Sequence, residues 1–412
     1  MRARVKELLA RPLAPADAVQ LALIKNPGLQ ASYAQLGIAA GDLLSVVLPN
    51  PHLSYLRARH GGEYETETIL SFNLLSLLTV PLAMQAQKQR FAQAKLGAAE
   101  EALRVAAETR KTYFRALAAQ QLAAYMQDVK LAAEASAELA RRMAAVGNFS
   151  KLDRMREQAF YAEATAQLAR AQQAAVAERE ALARLFGLWG EDLEFKLPER
   201  MPDLPQAPRE LPNAEQLAME QRLDLQAARR EAEALARSLG LTRVTRLVDE
   251  FELGLVRIKE GADVKRGYEI GVPIPLFDWG GGRVARAEAM YMQAANRIAE
   301  TAINARSEVR ESYLGYRTAY DVAKHYRDEI VPVRKQISEE MVLRYNAMLS
   351  SVFELLADAR EQVGAVSAYI DALSRFWVAD ADLQHALTGG RSSGAINGLT
   401  VSMPRPAGAG GH

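Results

Sequence analysis

Between residues 82 and 146 the chain runs 65 residues with no proline and a single glycine. Helix is the default conformation of such an alanine-rich run, and at 1.5 Å per residue it would reach about 98 Å. No ordinary globular core buries a helix of that length, so other long helices must lie beside it. Leu122, Tyr125, Val129, Ala132, Ser136, Leu139, Met143 and Val146 recur in steps of three and four, the spacing of a coiled-coil seam. Two shorter helical stretches, 151–188 and 213–246, stacked end to end match the long one. The expected body is a sheaf of long antiparallel helices.

The chain states this plan twice, with a shift of about 200 residues. Each half opens with a helical segment (14–48, then 213–246), passes through a strand-rich stretch, and continues into a long helix and a return helix. The first repeat is read as 1–196, with a β-hairpin at 50–73 and a helical hairpin at 82–188. The second is 213–388, with a β-hairpin at 250–275 and a helical hairpin at 283–387. Between them, Pro198, Pro202, Pro205, Pro208 and Pro212 make 197–212 a linker, because that spacing forbids both helix and central strand. The Gly/Ser/Pro-rich stretch 389–412 reads as a flexible tail. Arg156-Glu157-Gln158 returns as Arg360-Glu361-Gln362, and the two helical hairpins are expected to bend at 145–153 and 346–354.

Strand character is confined to two islands. In the second, Phe251, Leu253 and Leu255 alternate with Glu252, Gly254 and Val256, and after a polar turn Tyr268 and Ile270 alternate with Gly267 and Glu269. In the first, Leu53 and Tyr55, then Tyr64, Thr66, Thr68, Leu70 and Phe72, face one way, with Glu65 and Glu67 on the other side. No stretch has eighteen consecutive apolar residues, which excludes a membrane-spanning helix but not a membrane β-barrel. Four strands cannot close a barrel, and open edges are untenable in lipid, so the hairpins are expected to pair between subunits.

The strand followed by VPIPLFDWGGGRVARAEA (272–289) and a very long helix, inside a tandem repeat, resembles the TolC-like outer-membrane efflux proteins. The first half agrees, with PLAPADAVQLALIKNPGLQASYAQLGIAAGDLLSVVLPNPHLSY (12–55) similar to the family's entry helix and its step into the first strand. The resemblance covers about 12–388. It implies a mainly α fold with a small β part, four strands per chain joining in a homotrimer into a twelve-stranded β-barrel continued by a helical tunnel. It further implies an outer-membrane duct extending into the periplasm, passively conducting small molecules or metal ions from a periplasmic adaptor and an inner-membrane pump, most readily of the resistance-nodulation-division type. Family members carry a signal peptide; the start MRARVKELLARP lacks an apolar run, and the chain is read as one from which it has been removed. Two other readings stand beside this one, a duct for type I protein secretion and a cytoplasmic coiled-coil scaffold.

The resemblance makes the hairpin tips the entrance and the adaptor contact. The candidates are Gly147, Ser150, Leu152 and Asp153 in the first half, and Leu349, Ser351, Glu354 and Asp358 in the second; Asp153, Glu354 and Asp358 would form acidic rings in a trimer. The same residue types also serve plain helix termination and capping. Pro81, Pro273, Pro275, Trp279, Gly280 and Gly282 are candidates for the passage from barrel to helix. Pro332, inside the second long helix, removes a backbone hydrogen bond and marks a kink, which makes the second hairpin the candidate gate.

Composition closes off other functions. Fifty-one Lys and Arg against fifty Asp and Glu leave a formal charge of +1, no field for gathering nucleic acid. The absence of cysteine excludes disulfides, thiol catalysis and thiolate metal sites. The five histidines are isolated and the methionines fall mostly at packing positions, so no metal site is assigned. Gly280-Gly281-Gly282 lacks the Lys-Ser/Thr ending of a phosphate loop. No nucleophile with a base and orienting partner is present, so neither an enzyme nor a cofactor is expected.

Overall fold

The computed structural model describes residues 2–45, 50–60, 63–245, 251–272, 274, 277 and 279–389. Pro273, Pro275 and most of the expected tail lie outside the described residues. In chain order the elements are α1 (Arg2–Leu9), α2 (Pro15–Lys25), α3 (Pro27–Leu44), β1 (His52–His60), β2 (Glu63–Asn73), α4 (Leu74–Ala145), α5 (Lys151–Phe186), α6 (Ala214–Gln221), α7 (Leu223–Val244), β3 (Glu252–Glu260), β4 (Asp263–Gly271), α8 (Gly281–His325), α9 (Val331–Asn346) and α10 (Val352–Thr388). A π-helical turn, Tyr326–Ile330, joins α8 to α9 without a break.

Helix α4 has 72 residues, about 108 Å. It begins directly at the end of β2, where the Leu74 amide donates to the Phe251 carbonyl at 2.7 Å, and so takes in Pro81 rather than starting after it. Along its length α4 packs first against α7 and then against α5, as the end-to-end stacking of the two shorter helices requires. The buried stripe differs from the expected seam. Met126, Val129, Ala133 and Ala140 are buried, whereas Ala132, Leu139 and Val146 are exposed in the protomer. Alanine takes the closest approach because it lets two backbones come together, which moves the larger Leu139 to an outer face.

The repeat is visible in hydrogen bonds. The entry helices each break, at Asn26 (φ −59°, ψ 118°) and Arg222 (φ −61°, ψ 125°). Gln30 donates to the Ile24 carbonyl and Gln226 to the Glu220 carbonyl, the same bond 196 residues apart. Each break is also stitched to the end of its return helix. Asn26 donates to the Leu185 carbonyl at 2.8 Å, and the buried Arg222 donates to the Ala386 carbonyl while pairing with Asp224 and Glu308 at 2.7 Å.

One main core sits at mid-length, where the linker crosses the sheaf. It gathers Leu8 of α1, Leu21 of α2, Tyr113 and Leu117 of α4, Phe186 of α5, Leu204 of the linker, Tyr316 and Tyr320 of α8, and Phe376 of α10. The linker is a strap whose backbone is held by side chains. Gln120 and Trp377 donate to the Pro198 and Pro202 carbonyls, Tyr320 to those of Pro205 and Gln206, and Tyr316 accepts from the Arg209 amide. A proline-rich segment cannot satisfy its carbonyls in secondary structure, so these donors replace the missing partners.

The four strands form one antiparallel sheet in the order β1-β2-β3-β4. The two hairpins therefore pair with each other inside the chain, through β2 and β3, rather than only between subunits as expected from sequence. The edges left open are those of β1 and β4.

Candidate functional site

At the first hairpin tip, α4 ends in a left-handed Gly147 (φ 77°), whose amide donates to the Ala144 carbonyl while Asn148 donates to that of Met143. At the second tip Met348 takes the same conformation (φ 60°), with the equivalent bonds from Met348 to Tyr345 and from Leu349 to Arg344. The second tip has no glycine, and Met348 stands in the left-handed position that Gly147 takes in the first. Ser150 then caps α5 by accepting from the Asp153 amide at 3.1 Å, and Ser351 caps α10 through a reciprocal box with Glu354. Leu152, Met348 and Leu349 are exposed, making an apolar tip within a polar surround. Nearby, hydrogen bonds from Arg141 and Arg142 hold the Glu138 carboxyl down at about 2.

The superposed tips are 201 residues apart, so Asp153 matches Glu354 and Glu157 matches Asp358. The Arg-Glu-Gln echo, spaced by 204, is displaced by about one helical turn from that register. Asp153 is tied into its cap and paired with Arg156, and Asp358 is buried with Oδ2 unpartnered in the protomer, so of the three acidic candidates only Glu354 is exposed.

A contact that sequence reading missed lies just behind the tips. Glu157 of α5 is buried, accepts from Ser136 Oγ at 2.7 Å, and pairs with Arg360 of α10 at 2.9 Å. The Arg360 guanidinium also lies 4.5 Å over the Phe160 ring. This joins the first hairpin to the second across 203 residues of sequence.

On the sheet, the register places both greasy sets on one face. Leu53, Leu70, Leu255 and Tyr268 form one row across all four strands, and Phe72, Leu253 and Ile270 form the next towards the helices. Leu53, Leu255 and Tyr268 are well exposed, at 64%, 60% and 75%. The opposite face carries Glu65, Glu67, Glu252, Glu260, Asp263 and Glu269 with Lys265 as its one Lys or Arg among the described side chains, beside small Ser54, Gly254 and Gly267.

Between sheet and helix, Gly280 is left-handed (φ 71°) and caps α8, a conformation a side chain would strain. Gly282 is an ordinary helical residue with open space around it, and Trp279 is exposed. Further along, Pro332 follows the π turn Tyr326–Ile330, in which the Val331 amide reaches back to the Tyr326 carbonyl. The wide turn accommodates the donor that Pro332 lacks, so the expected kink is an expanded turn in a continuous helix. Arg327 in that turn donates to the Leu204 carbonyl of the strap and, by hydrogen bonding Asp328, holds that carboxyl below its usual range.

Among the described residues no cluster of metal-ligating side chains is present, and no helix is long and apolar enough to cross a membrane. No family model matches the chain, and no curated protein matches it. Solved structures do. The outer membrane protein VceC of Vibrio cholerae matches at 17% identity and TM-score 0.76, covering 91% of this chain and 96% of that one. The open-state MtrE outer membrane channel of Neisseria gonorrhoeae matches at 18% and 0.75, over 91% and 89%. A membrane protein from Pseudomonas aeruginosa matches at 20% and 0.78, over 90% and 92%. Over nine-tenths of its length, this chain has the fold of the outer-membrane channels.

Proposed function

We propose that three copies of this chain form the outer-membrane exit duct of a tripartite efflux pump, conducting small solutes passively. The observation that carries this reading is the sheet. It has two open edges and an exposed apolar face, and it is joined to helices of about 100 Å. Open edges in lipid must be paired, and pairing β1 of each copy with β4 of the next closes twelve strands. The apolar face then meets lipid and the acidic face lines the lumen, where its carboxylates favour cationic solutes and metal cations over anions. The exposed Leu152, Met348 and Leu349 at the tips fit contact with a periplasmic adaptor, and in this reading the pump behind it is of the resistance-nodulation-division type. The second hairpin is the moving element of the entrance. In this reading the energy, and the choice of cargo beyond the charge preference of the lumen, belong to the pump.

The test is the protein mass of membrane-expressed, detergent-extracted material by light scattering, with detergent counted separately, followed by conductance in planar bilayers. Three chains and an ion-conducting pore are expected. A water-soluble monomer or dimer from correctly targeted protein would overturn the reading in favour of a helical scaffold.

A further inference from the structure

The lipid-facing side of the sheet divides along its length into two chemistries. Below lie the apolar rows of Phe72, Leu253 and Ile270, and of Leu53, Leu70, Leu255 and Tyr268. Moving towards the hairpin turns, the next row is Tyr55, Thr68, Arg257 and Arg266, then Arg57, Thr66, Lys259 and Val264, then Arg59 and Tyr64. Rows follow one another at about 7 Å along the strands. Five cations, Arg57, Arg59, Arg257, Lys259 and Arg266, thus occupy three successive rows of one face, all of them exposed. No Asp or Glu shares that face on any of the four strands. The carboxylates of these strands fall on the other side, where Lys265 is paired with Glu260. Two of the arginines are already ordered by an aromatic ring, with the guanidiniums of Arg57 and Arg59 at 4.0 Å and 5.5 Å from the Tyr64 centroid.

Chance placement would scatter acids and bases over both faces; a segregation with Lys265 as its one exception among the described side chains calls for an anionic occupant on the cationic side. The occupant must also be compatible with the apolar rows immediately beneath, which excludes a nucleic acid or a soluble acidic protein. A phosphorylated lipid meets both demands. Its acyl chains lie along Leu53, Leu255, Tyr268 and Ile270, and its phosphates reach the cation rows, where arginine presents paired donors to phosphate oxygens. We propose that this band binds phosphorylated lipid of the leaflet nearest the hairpin turns, and that it fixes the depth of the barrel in the membrane. The proposal rests on the outer-membrane reading above.

The experiment reconstitutes the wild-type protein and two variants into phosphatidylcholine vesicles with or without about a fifth of a bisphosphorylated glycolipid, then counts lipids retained on the released trimer by native mass spectrometry. One variant carries R57Q, R257Q, K259Q and R266Q; the other carries K265Q on the opposite face. Wild type and K265Q should retain the phosphorylated lipid in preference to its dephosphorylated form, with retention falling in high salt and unaffected by millimolar inorganic phosphate. The fourfold variant should still form trimers but lose that preference by roughly tenfold or more. Equal retention of both lipids by the wild type, equal retention by the fourfold variant, or displacement by inorganic phosphate would each overturn the proposal. Failure of the wild type to insert as a trimer into either vesicle would instead overturn the outer-membrane reading, and the proposal with it.

Discussion

Replacing Arg360 by methionine removes the cation that ties the second hairpin to the first while keeping an aliphatic stem against Phe160. Glu157 is 2% exposed, and after the substitution its carboxylate keeps only the Ser136 hydroxyl. Breaking a fully buried pair costs about 3–5 kcal/mol. The Arg360 side chain is 35% exposed, so water replaces part of what is lost, and the figure falls to about 1–2 kcal/mol per protomer. If opening the entrance separates α10 from α5, the closed form of R360M loses that amount relative to the open one, a shift of roughly 5–30-fold in their ratio. Single-channel recordings of the reconstituted trimer read this directly as time in the high-conductance state. E157Q should give a smaller shift in the same direction, and the double variant should fall short of the sum, because both changes remove one contact. The reasoning fails if R360M gates like the wild type. It fails equally if R375M, which breaks an exposed pair with Asp371 within α10 itself, shifts gating as much.

Three further outcomes are expected. Met348→Gly relieves a left-handed methionine that is 93% exposed and packs on little. After the entropy cost of glycine the gain is about 0.5–1 kcal/mol, read as amide exchange slowed roughly 2–5-fold at the second tip. Tyr113→Phe loses the 2.8 Å bond to the Leu13 carbonyl, which costs about 1 kcal/mol at neutral pH in thermal unfolding. Burial pushes the Tyr113 hydroxyl up to about 12 from its ordinary 10; the neutral form is favoured by folding, so this contribution is complete below pH 10 and is lost as pH rises through about 12, and the phenylalanine variant should lack that alkaline loss. Reversal potentials across a salt gradient should report a cation-selective pore, and Glu65→Gln with Glu67→Gln and Glu269→Gln should reduce the selectivity without changing the trimer.

The features legible in the sequence were those with a local period. The proline-free, alanine-rich runs gave the long helices, though not the start of α4 at Leu74, alternation gave one greasy face per hairpin, and Gly147, Ser150 and Ser351 lie at the tips because turn and cap chemistry is written in single residues. What stayed hidden depends on partners far apart in the chain. The β2–β3 pairing follows from the two halves meeting in space, and neither hairpin encodes it alone. Glu157 and Arg360 sat inside a motif noticed only as a repeat marker, since nothing nearby distinguishes a buried glutamate from the exposed ones on the same helix. Both breaks in the entry helices, read as continuous over 14–48 and 213–246, went unread: Pro27 follows the one at Asn26, while Arg222 at the other is held by ion pairs to Asp224 and Glu308. Docking of α1 through Val5 and Leu8 went unread because eight residues are too few to establish a period.

The two halves share one plan, so the places where they differ bear on the proposal that the second hairpin moves. In the first hairpin the distal part of α4, which matches α9, buries Ala133 and Ala140 and belongs to one unbroken helix. In the second, α9 has no buried residue among those described and packs mainly on α10 and the π turn. The strap clamps the second hairpin at Tyr313, Tyr316 and Tyr320, and among the described residues its furthest hydrogen bond along that helix is Arg327 to the Leu204 carbonyl. The expanded turn and Pro332 follow immediately, and beyond them α9 runs to Asn346 held mainly by α10, whose Glu361 pairs with Arg334. In the proposed reading, where the second hairpin moves, the clamped segment, the wide turn and the lightly held arm serve as its hinge. On that reading the segment 326–332 and the Glu157–Arg360 pair act together: Glu361, next to Arg360, pairs with Arg334 two residues beyond Pro332, so loss of the Arg360 cation should be felt at the π turn as faster amide exchange in 326–332.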